Sequence, residues 1–360
     1  MNITCVIASL GPGGAERVLV TLANRWIELG FNISFITYND AVDDFYCLDP
    51  DINRVQLDLF NNTLLFKRLE NKVLRLWILR QAIQKTEPDV VISFIHMTNI
   101  MVLLATFGMK VPVIVSERND PDKSQPPIRY KRWQKFAYKR AKYLVLQTQQ
   151  FSPLFSYIKE KIRIIANPAP LHLPETQITY SREKTVTAVG SLQHQKGFDV
   201  LITAFANVAK QHPDWFLNIW GEGPLRAELQ ELITTLGLTE RVFLKGRTKK
   251  LFKELTKSGV FVLSSRYEGI PNVMLEALAC SCPVIATECN EAVESIITDG
   301  ENGLTIPPED VELLSTSIER LITSESERNL FSSRARNSIN NLELSSINNL
   351  WHELIEVVVK

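Results

Sequence analysis

The sequence has no hydrophobic run long enough to cross a membrane, and it is poor in the residues that mark non-globular chains. Its 360 residues include 15 glycines and 17 prolines, which excludes collagen-like and low-complexity classes. The first apolar run, residues 3–10, stops at Gly11 and follows no basic segment. We therefore expect a buried strand there, and neither a signal peptide nor a membrane anchor. The length predicts two domains.

Cysteine is scarce as well. The five cysteines are an odd number, which argues against a disulfide framework. Cys280, Cys282 and Cys289 lie close together, but their spacing matches no common zinc pattern and no histidine is nearby. We expect small buried thiols at these positions and no metal site.

Net charge is absent, because 40 basic residues balance 40 acidic ones. A nucleic-acid-binding domain is usually basic, so we expect no nucleic-acid partner. The balance conceals an asymmetry: residues 1–170 hold 22 Lys/Arg against 15 Asp/Glu, whereas residues 171–360 hold 18 against 25. This asymmetry indicates that the first half faces something anionic.

Short apolar strands alternate with amphipathic helices along most of the chain, which predicts βαβ units and doubly wound parallel sheets. Three prolines within residues 168–174 interrupt this alternation. We predict an α/β fold of two Rossmann-like domains that face each other across a cleft. The predicted boundaries are a first domain at 1–166, a linker at 167–183, a second domain at 184–340, and a last segment at 341–360 that crosses back to the first domain.

A glycine-rich loop at residues 11–14 follows the first strand and precedes a helix, an arrangement that brings backbone N–H groups close to an anion. It resembles a dinucleotide-binding fingerprint, and Asp40 ends the next strand where a ribose-binding acid would stand. Glu16, however, occupies the position of the third glycine. An NAD-dependent oxidoreductase therefore stays an alternative function.

A second loop combines two carboxylates with a helix N-terminus. Pro271 suits the first turn of a helix, and the backbone at Gly269 and Ile270 leads into it. Glu268 precedes this helix, whereas Asn272 and Glu276 are four residues apart and share one face. We expect a phosphate site between the two acids. The alternative is that both are solvated surface acids.

This second loop also carries a resemblance. Glu268 and Glu276, separated by seven residues in SRYEGIPNVMLEAL, resemble the E-x7-E motif of glycosyltransferase family 4, retaining enzymes of the GT-B fold. GGAER at 13–17 and SERN at 116–119 are similar to members that build lipid-linked oligosaccharides, among them bacterial N-acetylgalactosaminyltransferases. Further stretches that resemble the family lie at 190–202, 221–229, 243–247, 283–287 and 299–304.

The resemblance implies a donor site for a nucleotide sugar, with UDP as the expected nucleotide and with no metal or cofactor. Lys196 and the backbone at 270–272 would bind the diphosphate, Glu276 the ribose, and Glu268 the sugar. The remaining implied donor contacts are Gly13, Gly14, Gly190, Ser191, Arg247, Gly269, Ile270, Pro271 and Asn272. Two positions depart from the family pattern: Ser191 replaces an arginine, and a glycine-rich turn appears as Asn290-Glu291-Ala292.

The first domain is expected to bind the acceptor, a glycan on a polyprenyl diphosphate. His96 and Asn99 follow a strand, Arg118 follows another, and a predicted basic helix carries further cations, namely Lys67, Arg68, Lys72 and Arg75. Between 123 and 142 eight basic residues alternate with aromatic ones, a pattern typical of an anionic membrane surface. For both basic segments a solvated helix face is the alternative.

We accordingly predict a retaining, metal-independent hexosyltransferase, peripheral on the cytoplasmic face of a membrane. A protein that binds nucleotide sugars without turnover is a second alternative, because Ser191 removes one expected phosphate cation.

Overall fold

The computed structural model describes residues 1–38, 44–59, 71–123, 128–171 and 182–360. These residues form two parallel sheets, one in each half of the chain. The chain divides into two units. The first consists of Met1–Asn167 with Ser345–Lys360, and the second of Pro168–Leu344. The predicted linker at 167–183 falls mostly on residues outside the described part.

The first unit contains a seven-stranded sheet in the order β3-β2-β1-β4-β5-β6-β7, and every strand pair is parallel. Its strands are β1 (Asn2–Ile7), β2 (Asn32–Thr37), β3 (Asn53–Gln56), β4 (Val90–Phe94), β5 (Val113–Ser116), β6 (Tyr143–Leu146) and β7 (Ile162–Ile164). Its helices are α1 (Gly14–Glu28), α2 (Asn71–Lys85), α3 (His96–Ala105), α4 (Ile128–Tyr138), the irregular segment Gln149–Lys161 and the last helix of the chain, α12 (Leu344–Val359).

Helices cover this sheet on both faces. Its central strands are therefore buried on both sides, as their continuous apolar sequences predict. Helix α3 contacts α2 and α4. Helix α12 returns to this unit and inserts Trp351, fully buried, at 6.2 Å from the ring of Trp26 and 5.9 Å from that of Phe94. The crossing back of the last segment is therefore a packed contact.

The second unit contains a six-stranded parallel sheet in the order β10-β9-β8-β11-β12-β13. Its strands are β8 (Glu183–Val189), β9 (Phe216–Trp220), β10 (Val242–Gly246), β11 (Ser258–Leu263), β12 (Val284–Thr287) and β13 (Leu304–Ile306). Its helices are α5 (Phe198–Ala209), α6 (Arg226–Thr235), α7 (Leu251–Lys257), α8 (Asn272–Ala279), α9 (Glu291–Ile296), α10 (Val311–Thr323) and α11 (Glu325–Ala335), with 3₁₀ turns at His194–Lys196 and Asn337–Leu342.

Three strands escape the sequence pattern. Strand β3 is a four-residue edge strand with no buried residue, whereas β7 and β13 have three residues each. Such short strands offer too little apolar sequence to separate them from loops. The two Rossmann-like domains themselves are confirmed.

Candidate functional site

A crevice opens in the second unit where the winding of its sheet reverses. From β8 the chain moves outward to β9 and β10, and then crosses to β11 on the other side of β8. The loops after β8 and β11 therefore diverge from two neighbouring strands at their carboxyl ends. In open α/β sheets this reversal point is where ligands bind. The first loop carries Lys196 and the second carries Glu268.

The loop after β8 is shaped by two glycines. The stem of Lys196 packs on Gly190 so closely that a Cβ there would lie 3.1 Å from three of its carbons. Gly197 has φ +61°, and a Cβ on it would lie 2.1 Å from the carbonyl oxygen of Ser264. A side chain at position 197 would therefore be strained by both the backbone angle and the clash, which only glycine avoids. Gly190 leaves room for the stem of Lys196. The loop is thereby held against the end of β11, and Ser264 Oγ donates to the carbonyl of Lys196 at 2.8 Å.

Lys196 and Glu268 form a shielded ion pair. Lys196 Nζ lies 2.5 Å from Glu268 Oε1, and Ser265 Oγ donates to the same oxygen at 2.7 Å. Gln195 Nε2 approaches the other carboxylate oxygen at 3.3 Å. The Glu268 side chain is 8% exposed and that of Lys196 16%. A charge-assisted bond in such a shielded place is stronger than one at the surface.

The loop after β12 supports Glu268 from the other side. Thr287 Oγ1 donates to the carbonyl of Ser265 at 2.6 Å. Asn290 Nδ2 donates to the carbonyls of Glu268, at 2.8 Å, and Gly269. Three neighbouring strand ends of the sheet therefore meet around Glu268, two at its carboxylate and the third at its backbone. The sequence does not indicate a role for Ser265 or Thr287, and it marks Asn290 only as part of the turn that departs from the family pattern.

Helix α8 begins directly beyond Glu268. Its first residue is Asn272, Pro271 is the N-cap, and Ile270 is buried beneath the turn. Glu276 lies one turn into the helix and is 4% exposed. The surface-acid alternative is therefore wrong for both glutamates, since Glu268 is 6% exposed.

Arg266 joins the first two loops on their outer side. Its guanidinium donates to both carboxylate oxygens of Asp199, at 3.0 and 2.7 Å, to Glu309 Oε1 at 2.9 Å and to the carbonyl of His194 at 2.6 Å. Burial tends to raise the pKa of Asp199, but the bonds from Arg266 outweigh it and the pKa lies below its ordinary value. The fork fixes the turn that carries Lys196.

Other predicted donor contacts lie at different distances from this pair. Ser191 is half-buried in the turn after Gly190, and its carbonyl accepts from Gln193 N at 2.8 Å. Arg247 is exposed at the end of β10, an edge strand two positions from β8, which corresponds to about 10 Å. Its contact with a phosphate remains a prediction.

The cysteines are separate from this chemistry. Cys280 and Cys282 are buried, and burial raises the pKa of Cys280 to about 12. Cys289 lies near Glu268, and burial together with that charge raises its pKa to about 12. Within the described ranges no group of three or more His, Cys, Asp or Glu side chains is placed to hold a metal ion.

The first unit has its own reversal point, between β1 and β4. Gly13 and Gly14 stand there at the start of α1. The carboxylate of Glu16 folds back so closely that a Cβ on Gly13 would lie 2.0 Å from Oε2. The side chain at the third-glycine position thus covers the loop where a dinucleotide pyrophosphate would approach. Asp40, the predicted ribose ligand, lies outside the described residues.

His96 reaches the same edge from a strained turn. It is the first residue of α3, directly after Ile95, whose φ is +75°. A β-branched residue rarely adopts this conformation, and such strain concentrates at functional sites. The Ile95 N–H donates to the carbonyl of Ser116 at 3.0 Å, which holds the turn. Burial lowers the pKa of His96, so its imidazole is neutral near pH 7.

Asn99 and Arg118 require correction as acceptor contacts. Asn99 is 0% exposed: its Nδ2 donates to the Ser116 carbonyl at 2.9 Å, and its Oδ1 accepts from Ser93 at 2.8 Å. Arg118 is also buried, and it donates to Asn167 Oδ1 at 2.7 Å with its guanidinium 4.1 Å from the ring centre of Phe94. The Asn99 amide is thus used within the fold. Arg118 is packed there as well, although its Nε and Nη2 have no hydrogen-bond partner among the described residues.

The remaining predicted acceptor contacts belong to the α2 region. Lys67 and Arg68 lie outside the described residues, as does the side chain of Lys72. Arg75 is half-buried. The exposed side of α2 is apolar, with Val73 74% and Trp77 56% exposed. The contact of these cations with the acceptor stays a prediction.

Comparison with known proteins places this geometry in a family. Residues 174–338 match the model of glycosyl transferases group 1, and residues 13–168 match a glycosyl transferase 4-like domain. An uncharacterized glycosyltransferase of Methanocaldococcus jannaschii is 30% identical, over 72% of this chain and 71% of its own length. The chain belongs to the group 1 glycosyl transferases.

Two further proteins are similar to this glycosyltransferase over most of its length. It is 27% identical, over 90% of both chains, to a Campylobacter jejuni enzyme named GalNAc-alpha-(1->4)-GalNAc-alpha-(1->3)-diNAcBac-PP-undecaprenol alpha-1,4-N-acetyl-D-galactosaminyltransferase. The crystal structure of Anabaena HepE in complex with UDP and glucose superposes with a TM-score of 0.86 over 99% of both chains at 19% identity. The GT-B fold is thus confirmed, and the oxidoreductase and non-catalytic alternatives are not supported.

The crevice depends on Gly197, which suggests a stability test. We expect Gly197→Ala to destabilise the glycosyltransferase by about 1–2 kcal/mol through its positive φ and by about 1–3 kcal/mol more through the clash with Ser264. Gly237→Ala is the control, because Gly237 has φ +71° and nothing within 4 Å of its Cβ position. Urea-unfolding curves measure both variants. Equal shifts would contradict the close packing of the two loops.

Proposed function

We propose that this glycosyltransferase moves a sugar from a UDP-linked donor to a lipid-linked glycan with retention of anomeric configuration. The sugar that we propose first is an N-acetylhexosamine. The observation that supports this most is the Lys196–Glu268 pair at the reversal point of the second sheet, beside the N-terminus of α8. A cation, a carboxylate and a helix N-terminus in one crevice suit a substrate that carries a diphosphate and hydroxyl groups.

In the reaction, the bond between the anomeric carbon and the diphosphate oxygen breaks as the acceptor hydroxyl oxygen forms a bond to that carbon. The developing negative charge goes to UDP, and the proton of the acceptor hydroxyl passes to the departing diphosphate oxygen. Lys196, backed by the backbone at Gly269–Asn272, would stabilise the leaving diphosphate. The same positive charge is available without a metal, which supports metal-independent transfer.

Glu268 would face the donor sugar, while Glu276, one turn into α8, would accept hydrogen bonds from ribose hydroxyls. Glu268 neutralises Lys196 at 2.5 Å. A diphosphate offers Lys196 a stronger partner, and the carboxylate then becomes available to hydroxyl groups of the sugar. Gly190 and Gly197 hold the two partners of this exchange close together. A donor contact of Gly13 and Gly14 stays a prediction, because the Glu16 carboxylate folds over Gly13.

The acceptor assignment draws on the relatives. Two Campylobacter jejuni proteins similar to this chain carry names that specify a diphospho-undecaprenol glycan and N-acetylgalactosamine transfer. His96, neutral and set on a strained turn at the carboxyl edge of the first sheet, is the described residue best placed to meet an acceptor hydroxyl. The cations at 67, 68, 72 and 75 remain proposed contacts of the acceptor diphosphate.

A lipid-linked acceptor requires access to a membrane, and α4 offers a suitable surface. Trp133 and Phe136 are 54% and 51% exposed, in edge contact at 6.4 Å, and exposed cations flank them. These cations are Lys131, Arg132, Lys135, Lys139 and Arg140. Exposed aromatic rings among cations suit the interface of an anionic bilayer. No helix in the described ranges has the length and apolarity needed to span one. We therefore propose peripheral attachment at the cytoplasmic face.

Replacing Glu268 by glutamine tests its catalytic role. Glu268→Gln keeps the size of the side chain and its bond from Ser265, so we expect a folded protein that still binds UDP. The rate of transfer from UDP-N-acetylgalactosamine to an undecaprenyl-diphosphate-linked glycan should fall roughly 10²-fold or more, because the carboxylate charge near the reacting carbon is lost.

Asp214→Asn is the matched control, because Asp214 pairs with Lys184 at an exposed position of the same unit. It should leave transfer unchanged. Transfer by Glu268→Gln at the wild-type rate would refute the catalytic role of the carboxylate.

Neutralising α4 tests the membrane proposal. Changing Lys131, Arg132, Lys135 and Lys139 to glutamine should release the protein from vesicles that contain phosphatidylglycerol, since each cation near the surface contributes about 1 kcal/mol. The attraction should also weaken in high salt. Flotation of vesicles measures both effects. Neutralising Lys245, Lys249, Lys250 and Lys253 in the second unit is the charge-matched control. Equal binding by all three proteins would mean that α4 is only a solvated face.

A further inference from the structure

Asn290 is a buried amide whose hydrogen-bonding capacity is fully used. It lies between β12 and α9 and is 4% exposed. Its Oδ1 accepts from the N–H groups of Ala292, at 2.9 Å, and Val293, at 3.1 Å. Its Nδ2 donates to the carbonyls of Glu268 and Gly269. An amide offers two donors and two acceptor lone pairs, so one side chain joins the start of α9 to the backbone of Glu268.

The two ends of Asn290 serve different purposes. The oxygen caps α9, which any good N-cap side chain can do. The nitrogen holds the two peptide groups that flank Gly269, the first of which begins at Glu268, and this backbone helps to determine where the Glu268 carboxylate points. The carboxylate itself is held by Lys196 and Ser265, with Gln195 at 3.3 Å. If Lys196 turns to a donor diphosphate, the charged contact of these three is lost, whereas the tether to Asn290 remains.

We propose that Asn290 is a positioning residue for transfer: it keeps the Glu268 carboxylate aimed at the donor sugar once Lys196 has left it. This inference rests on the proposed function of Glu268. A residue that only capped the helix would affect stability and not turnover. Asn290 should also affect kcat, through the bonds that its nitrogen donates to the backbone at Glu268 and Gly269.

Aspartate separates the two ends. Asn290→Asp keeps an oxygen for the N–H groups of Ala292 and Val293, and a negative charge at a helix N-terminus is favourable. In place of the nitrogen it sets an oxygen against the carbonyls of Glu268 and Gly269. Asn290→Ser is the uncharged companion, which caps the helix but is too short to reach those carbonyls. If repulsion unfolds the first variant, the second still supplies the answer.

The control is Asp310→Asn, because Asp310 caps α10 in the same unit with a bond of 2.8 Å from Leu313 N. All variants are compared by thermal unfolding, by UDP calorimetry and by kcat and KM with the donor and acceptor named above. We expect Asn290→Asp or Asn290→Ser to lose roughly 10–100-fold in kcat, with UDP affinity close to that of the control. Each folded variant should also melt earlier than the control, because the carbonyls of Glu268 and Gly269 lose their donor.

A second comparison places both changes in one chain. If Asn290 acts through Glu268, then Asn290→Ser in the Glu268→Gln background should cost nothing beyond the loss that Glu268→Gln already causes. Multiplying losses would place its action elsewhere and overturn the inference, as would wild-type kcat in the folded single variants. These results differ from a failure of the proposed function, in which Glu268→Gln itself retains full transfer.

Discussion

Parallel strand order is the constraint on which this enzyme depends. Because β8, β11 and β12 are neighbours that run the same way, the loops that follow them leave the sheet at one edge. Hydrogen bonds between these loops then set Lys196 2.5 Å from Glu268, although the two residues are distant in sequence. The close approach is possible because Gly190 and Gly197 have no side chains to prevent it. The chemistry of the site is thus a consequence of sheet winding and of two missing Cβ atoms.

The first unit has the same winding and a different content. Its reversal point presents Glu16 folded over Gly13 and a neutral His96, without a cation comparable to Lys196 among the described residues of those two loops. Glu117, directly after β5, is buried, and burial raises the pKa of its carboxyl group to about 7 despite hydrogen bonds from Tyr138 and Gln134. The charges at this edge therefore differ from those of the crevice in the second unit, where we propose that a diphosphate binds.

Much of this arrangement can be read from the sequence, and the limits have physical causes. Continuous apolar strands gave the two domains, and the spacing of Glu268 and Glu276 gave the family. The residues that support Glu268 cannot be identified from the sequence, because Thr287 and Asn290 are brought close to it only by the order of the strands in the sheet. Asn99 and Arg118 were assigned to the acceptor from their places after strands, but chain position does not reveal that one is 0% exposed and the other packs on Phe94. The three-residue strands lack a period long enough to detect.

The central claim is that Lys196 exchanges Glu268 for the donor diphosphate. The most direct measurement is calorimetry of UDP and UMP binding to the wild type and to Lys196→Ala. A charged hydrogen bond contributes about 1.5–3 kcal/mol, so the wild type should prefer UDP to UMP by a margin of this size that the variant largely loses. An unchanged preference for UDP in Lys196→Ala would show that Lys196 does not bind the diphosphate and would contradict the account.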